Sequence, residues 1–257
     1  MIVILGCGVV GVLVGNRLSD LGHQVIGVRR TPVVDAGNLF PVIAGDIADP
    51  VLYDRLDRPS AVLLAANPGL RRGRDNGLIT ATRFITARFA DSRIVYTGST
   101  AVYADRGGEG SREDSPVTEN DPAVTGLLDI ERAVLQHANA LVLRITALVG
   151  PTRRHAQERL RRGETTVKGD SNRPFSYLHE RDCAELCVRA VLGELGSGIL
   201  NAAAPERLTV RDYYELLGRQ IGLTVTITGD SSVVPSRWID ASRLQALVPD
   251  MVWRRPE

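Results

Sequence analysis

Short runs of apolar residues alternate with longer amphipathic stretches through the first two thirds of the chain. The runs are IVIL (2–5), QVIGV (24–28), PVIAGD (41–46), AVLLAA (61–66), RIVYTG (93–98) and ALVLRI (140–145). Their apolar residues are consecutive rather than alternating, which fits strands covered on both faces. Between them the pattern predicts helices over 10–21, 50–57, 75–90 and 126–138. Strand and helix in alternation specify an α/β fold with a doubly wound parallel sheet. After VGP (149–151) the rhythm changes to an Arg-rich helix, a short strand, a helix at 180–194, a strand near 198–201, a helix at 209–221 and an irregular end. The expected division is a first domain over 1–150, completed by parts of 174–201, and a small C-terminal α/β lobe drawn mainly from 151–257. No repeat or low-complexity segment interrupts this order. The polar stretch ADRGGEGSREDSPVTENDPAV (104–124) reads as one long loop, and loops of that length in compact domains are often functional.

The first run leads into ILGCGVVGVLVGNRL, which sets Gly6, Gly8 and Gly11 in a GxGxxG pattern between a strand and a helix. Gly6 permits the tight turn, Gly8 lets a pyrophosphate approach the backbone, and Gly11 allows close helix–strand packing; Val9 and Val10 supply N–H groups at the helix start. This context predicts a dinucleotide site. The second strand runs into Arg29 and Arg30, where an NAD site carries an acidic residue to take the ribose hydroxyls. Guanidinium groups there favour a 2′-phosphate through charge-assisted hydrogen bonds, so the expected cofactor is NADP(H). Asp46 and Ile47 follow the third strand and are placed to meet the adenine end. Ala65 and Ala66, in AANPG after the fourth strand, would run beside the cofactor.

Composition narrows the partners more than the chemistry. At 257 residues the chain suits one large α/β domain with a smaller appendage. A formal net charge of +1 offers no concentrated basic face for nucleic acid or an anionic membrane. The opening apolar run is cut by Asn16 and Arg17 short of the ~20 residues a membrane span needs, and no basic residues precede it as in a signal peptide. Cys7, Cys183 and Cys187 are too few and too scattered for a disulfide framework or a metal site. Cys183 and Cys187, four apart in a predicted helix, read as small core residues, and this usage suits the cytoplasm. A small-molecule substrate is the expected partner, and the reading admits a homodimer.

Taken in order, the glycine motif, AGDIAD (44–49), YTGSTAVY (96–103), LRITALVGP (143–151), PFSYLHERDCAE (174–185) and DASRLQAL (240–247) resemble the NAD-dependent epimerase/dehydratase family. That family is the extended branch of the short-chain dehydrogenase/reductases, and the resemblance covers nearly the whole chain. It implies a Rossmann-type sheet, a small C-terminal substrate lobe and, in many members, a nucleotide-sugar substrate. It places Ser99 on the catalytic Ser/Thr that hydrogen-bonds the reacting oxygen of the substrate, with Thr100 as its neighbour and Tyr103 on a tyrosine that packs near the site. His179 matches a histidine of the second lobe that is more often structural. Arg173, in GDSNRP, is the expected contact to a substrate phosphate, while the Arg153 to Arg162 run reads as a solvated helix face.

One departure governs the chemistry. The family's Tyr-x-x-x-Lys pair lowers the tyrosine pKa so that it can exchange a proton during hydride transfer. Here no tyrosine lies between Tyr103 and Tyr177, and Lys168 is the only lysine. The matching positions are Thr125 and Asp129 in one register, Ala123 and Leu127 in another. Leu5 also stands where the family often has its first glycine. These features resemble the atypical short-chain dehydrogenase/reductases. The expected activity is an NADP(H)-dependent oxidoreductase in which Ser99 orients the substrate and Tyr103, Asp129 or water donates the proton. Two rivals remain: a non-catalytic dinucleotide sensor, and a non-redox lyase or isomerase on the same fold.

Overall fold

Each of the six apolar runs forms a strand. The structure is a computed structural model that describes residues 1–31, 37–70, 73, 76–105, 107–118 and 120–257. In chain order the elements are β1 (Ile2–Leu5), α1 (Val9–Asp20), β2 (Val25–Arg29), β3 (Val42–Ala44), α2 (Pro50–Asp54), β4 (Ala61–Leu64), α3 (Leu78–Arg88), β5 (Arg93–Ser99), β6 (Gly110–Ser111), α4 (Pro122–Leu135), β7 (Ala140–Ile145) and β8 (Ala147–Val149). They continue with α5 (His155–Arg161), β9 (Thr166–Val167), β10 (Pro174–Phe175), β11 (Tyr177–His179), α6 (Glu180–Val191), β12 (Gly198–Ala202), β13 (Leu208–Thr209), α7 (Val210–Gln220), β14 (Thr228–Gly229), β15 (Trp238–Ile239) and α8 (Ser242–Leu247). The chain divides into two compact units that interleave in sequence. The first comprises 1–102, 118–144 and 183–200; the second comprises 103–117, 145–182 and 201–257.

The first unit is built on a seven-stranded sheet of order β12-β7-β5-β4-β1-β2-β3. The pairings from β3 through β5 are parallel, and Ile2 lies opposite both Val25 and Ala61. The order reverses at β1, which makes the sheet doubly wound; in such sheets ligands bind beyond the carboxyl ends of the strands at that reversal. Val3, Leu5, Val62, Leu64, Ile94 and Val142 are fully buried among α2, α3 and α4 side chains. Each such side chain contributes about 1.5–3 kcal/mol relative to exposure. A charge also starts the buried strand β5, and its groups are satisfied: Arg93 donates to the Ala190 and Gly196 carbonyls and to Asn139 Oδ1.

The second unit is built from small ladders instead of a sheet. β8 pairs with β11, β9 with β14 and β6 with β15 in parallel, and β10 pairs with β13 antiparallel. Its core gathers Val149, Leu160, Tyr177, Val210, Tyr213 and Leu217, with Phe175 stacked on Tyr213 at 4.2 Å between ring centroids. Residues 254–257 lie along this unit as a strap. The Arg254 backbone N–H donates to Asp182 at 2.8 Å, Arg255 pairs with Glu206, the Pro256 carbonyl accepts from Gln220 at 2.7 Å, and Glu257 meets His179 Nε2 at 3.1 Å. Asp182 and His179 are fully buried. Because His179 Nδ1 accepts the Arg181 N–H, the neutral ring carries its proton on Nε2, facing that carboxylate.

Several expectations shift. The fourth helix begins at Pro122, not 126, because Asp121 caps it by accepting from the Ala123 and Val124 N–H groups and Pro122 is preorganised for a first turn. It also ends at Leu135. The predicted loop over 104–124 contains β6, its last residues belong to α4, and 103–117 fall in the second unit, where Tyr103 bridges Val117 and Ser236 N–H reaches Asp105. The irregular end carries β15 and α8. The predicted 75–90 helix is observed from Leu78 to Arg88, and its first expected residue lies outside the described residues.

Phe40 sets the spacing between α1 and β2. A Cβ on Gly15 would stand 2.2 Å from its ring, and one on Gly27 would stand 2.9 Å from the ring and 2.8 Å from Cys7 Sγ. The segment leading into Phe40 is held by Asn16, whose amide donates to the Gly37 carbonyl and accepts from the Leu39 N–H, both at 2.9 Å. Gly15→Ala is therefore expected to cost about 1–3 kcal/mol through overpacking, read as a lower melting temperature, and Phe40→Leu added to it should recover part of the loss. An unchanged melting temperature would show that the ring has room to move.

Candidate active site

The residues expected at the cofactor gather at the carboxyl ends of four neighbouring strands of the first unit. Gly6 closes β1 at φ +89, and a Cβ there would lie 2.4 Å from the Ala66 backbone. The turn thus needs glycine both for its backbone angle and for its contact with the strand beside it. Gly6 and Cys7 N–H groups donate to the Val28 carbonyl, which ties the turn to β2. Gly11 packs on Ile4, where a Cβ would meet the side chain at 3.1 Å. Around Gly8 a Cβ would meet nothing within 4 Å, so the backbone there is open to an approaching group. The first bond of α1 runs from Val12 N–H to the Gly8 carbonyl, leaving the Val9, Val10 and Gly11 N–H groups without intrahelical acceptors. Such an end attracts anions.

Arg29 ends β2 and Arg30 follows it, both exposed. Among the described residues neither has a carboxylate within 4.0 Å. Asp46 and Ile47 follow β3; Asp46 is exposed and its carboxylate accepts the Ala48 N–H at 2.9 Å, while Ile47 is buried and its carbonyl takes the Tyr53 hydroxyl. Ala65 and Ala66 lie just past β4, half-buried, with Ala65 N–H still bonded to the Leu5 carbonyl.

Ser99 and Thr100 stand at the carboxyl end of β5 in the same unit. Ser99 Oγ accepts the Ala101 N–H at 3.2 Å, capping the 3₁₀ turn Thr100–Val102. A hydroxyl has one proton and two lone pairs, so this bond orients Ser99 without using its proton. Among the described residues that proton has no protein acceptor. Thr100 is buried within the turn. The two replacement proton donors are otherwise engaged. Asp129 lies off the buried face of α4 formed by Leu127, Leu128, Ile130 and Glu131, and it pairs with Arg132 at 2.6 Å. Tyr103 belongs to the second unit, is 1% exposed, and donates its hydroxyl to Asn201 Oδ1 at 2.6 Å. Asn201, also buried, donates to the Ser111 and Asp240 carbonyls and its N–H meets Glu113.

Arg173 also belongs to the second unit. It is half-buried, and its Nε reaches the Lys168 carbonyl at 3.4 Å. Burial pulls its guanidinium below the ordinary range, with Tyr214 and Asp170 opposing. Among the described residues no carboxylate pairs with it. Of the arginines in 153–162, all but Arg159 are exposed.

The chain aligns along almost its full length with several solved structures. MoeE5 in complex with UDP-glucuronic acid and NAD is 22% identical, covering 99% of this chain and 94% of that one at a TM-score of 0.80. UDP-N-acetylglucosamine 4-epimerase from Bacillus cereus is 18% identical, with 99% and 94% covered at 0.80. The Bordetella bronchiseptica enzyme WbmH in complex with NAD+ is 20% identical, with 99% and 93% covered at 0.79. This chain has their fold. No family model matches the sequence, and no curated protein matches it. The likeness agrees with the resemblance carried by the motifs, and α4 stands in the fold with neither tyrosine nor lysine in PAVTGLLDIERAVL.

Sequence reasoning missed two buried polar groupings. Glu131 and Arg144 form an ion pair with Nη2 to Oε2 at 2.8 Å, and Asn201 is the hub around Tyr103. The first had a signal: each charge interrupts an otherwise apolar face, of α4 and of β7. Among the described residues no His, Cys, Asp or Glu cluster is placed to hold a metal, and no helix is long and apolar enough to cross a membrane.

Cys7, inside the glycine turn, gives a direct check on this packing. Burial pushes its thiol up to about 11, with the Arg29 charge opposing. The unfolded thiol ionises first as pH rises, so this residue subtracts stability from its ordinary value of 9.0 up to about 11. Wild type is expected to lose more stability across that window than Cys7→Ala, measured from urea midpoints. Equal slopes, or rapid alkylation of Cys7 in the folded chain near neutral pH, would show an exposed thiol.

Proposed function

We propose that the chain is an NADP(H)-dependent oxidoreductase of the epimerase/dehydratase family that acts on a small molecule without the family's Tyr-x-x-x-Lys pair. The observation that carries this is the convergence of Gly6, Gly8, Arg29, Asp46, Ala66 and Ser99 on the carboxyl ends of five adjacent strands. The open backbone at Gly8 and the Val9, Val10 and Gly11 N–H groups, without intrahelical acceptors, fit a pyrophosphate, and Arg29 and Arg30, which pair with no carboxylate among the described residues, fit a 2′-phosphate. Bound NADP(H) would supply or accept the hydride. Ser99 donates its hydroxyl proton in a hydrogen bond to the substrate oxygen, held in place by the Ala101 N–H it accepts. Hydride reaching a carbonyl carbon requires a proton on that oxygen, and with Tyr103 and Asp129 engaged elsewhere it comes from water or from an acidic group of the substrate. UDP-sugars, which MoeE5 binds, are therefore expected to be poor substrates for epimerisation here. Arg173 is the proposed contact for an anionic group of the substrate, and the protein is expected to work in the cytoplasm.

The same engagement of Tyr103 and Asp129 favours a second reading, a dinucleotide sensor without turnover. The two diverge in a panel of carbonyl compounds and nucleotide sugars followed at the nicotinamide absorbance, with products identified by mass. Reduction of a simple carbonyl supports the oxidoreductase, and tight cofactor binding with no turnover across the panel supports the sensor. Robust epimerisation of a nucleotide sugar would overturn both.

Two measurements test the parts. NADPH is expected to bind at least about 10-fold more tightly than NADH, since one charge-assisted contact of ~1.4 kcal/mol suffices. Arg29→Asp should erase that preference in a fluorescence titration; a variant that keeps it would show that the pair is only surface charge. Ser99→Ala is expected to lower turnover about 10²-fold or more while leaving NADPH affinity nearly unchanged, as loss of a single oxyanion-type donor does. A parallel fall in melting temperature and active fraction would instead make Ser99 a strand cap and nothing more.

A further inference from the structure

The buried pair beneath the end of β5 has no part in the proposed chemistry. Glu131 is 2% exposed and Arg144 is 4% exposed. The guanidinium donates from Nε to Oε1 and Oε2, both at 3.2 Å, and from Nη2 to Oε2 at 2.8 Å. Two charges in an apolar layer are weak contributors to stability, because desolvation offsets their attraction, and apolar replacements are often as stable or more so. What such a pair supplies is a fixed geometry. Its position is informative: a Cβ on Gly98 would lie 3.1 Å from Glu131 Oε1 and 3.1 Å from Val142 of β7. Tyr96, two residues earlier, is buried beside the same carboxylate, and burial together with that charge raises its hydroxyl pKa. The strand end that carries Ser99 therefore rests on the carboxylate through a residue with no side chain of its own.

We infer that Glu131 and Arg144 are positioning residues that fix the height and angle of the β5 terminus and, through Gly98, the direction of the Ser99 hydroxyl. The inference rests on the reading of Ser99 as the group that orients the substrate. It can still be tested apart from that reading, because the structure contains a reporter that needs neither cofactor nor substrate. Ala101 N–H is held by Ser99 Oγ, so its hydrogen exchange in the free protein reads where that hydroxyl sits.

The experiment compares wild type with the Glu131→Met/Arg144→Met double variant by residue-resolved amide exchange and thermal melting. The double variant is expected to melt at or above the wild-type temperature, while Ala101 N–H exchanges about tenfold faster or more and amides of β1 and β4 stay unchanged. Glu131→Asp keeps both charges but shortens the carboxylate arm, so it serves if the Met pair does not fold, and it should show the same local change. Ala101 exchange within about twofold of wild type in a folded variant would overturn the inference, as would acceleration spread evenly over the sheet. Loss of Ser99-dependent turnover is read separately with Ser99→Ala, so a failure of the positioning role and a failure of the catalytic reading give different results.

Discussion

The first unit depends on one close approach. The turn after β1 passes so near the backbone of Ala66 that residue 6 cannot carry a side chain, and its positive φ would strain any residue that had one. That contact brings the ends of β1 and β4 side by side at the point where strand order reverses. Both strands end in register, Leu5 opposite Leu64. Gly11 against Ile4 and Gly15 against Phe40 repeat the logic down α1, seating the helix close on the sheet. A single added methyl at any of these positions would lift the helix and misdirect the groups suited to bind an anion.

Most of this architecture was legible because burial on both faces leaves a strong mark. IVIL, AVLLAA and ALVLRI had no other stable place than a covered sheet, and the glycine spacing fixed what followed the first of them. The errors fell where local chemistry overrode periodicity. The Asp121–Pro122 cap pulled α4 forward into a stretch whose polar composition read as loop. The segment after Ser99 read as one long polar loop, and its residues find their partners at Asn201, Ser236 and Asp240, more than eighty positions further on. No short-range pattern encodes pairings at such separations.

The site was legible to different depths. Arg29, Asp46 and Ala66 follow from strand order alone, since a doubly wound sheet must place the ends of β2, β3 and β4 around the glycine turn. The proton donor does not follow from strand order. Asp129 was chosen by its register on α4 and Tyr103 by its match to a tyrosine near the site; their partners, Arg132 and Asn201, follow from the packing of each unit. The Glu131–Arg144 pair shows the converse: α4, which has neither tyrosine nor lysine, places a buried carboxylate against Gly98 of β5.

The strap formed by residues 254–257 ties together parts of the second unit that are distant in the chain. His179 of β11, Asp182 of α6, Glu206 of the loop before β13 and Gln220 of α7 meet four consecutive residues. Two of the groups it meets, His179 and Asp182, are fully buried, and a buried polar group left without its partner costs about 1–3 kcal/mol. Four residues without a helix or strand of their own thus act as a clasp, whose loss would be felt at once in β11, α6 and α7.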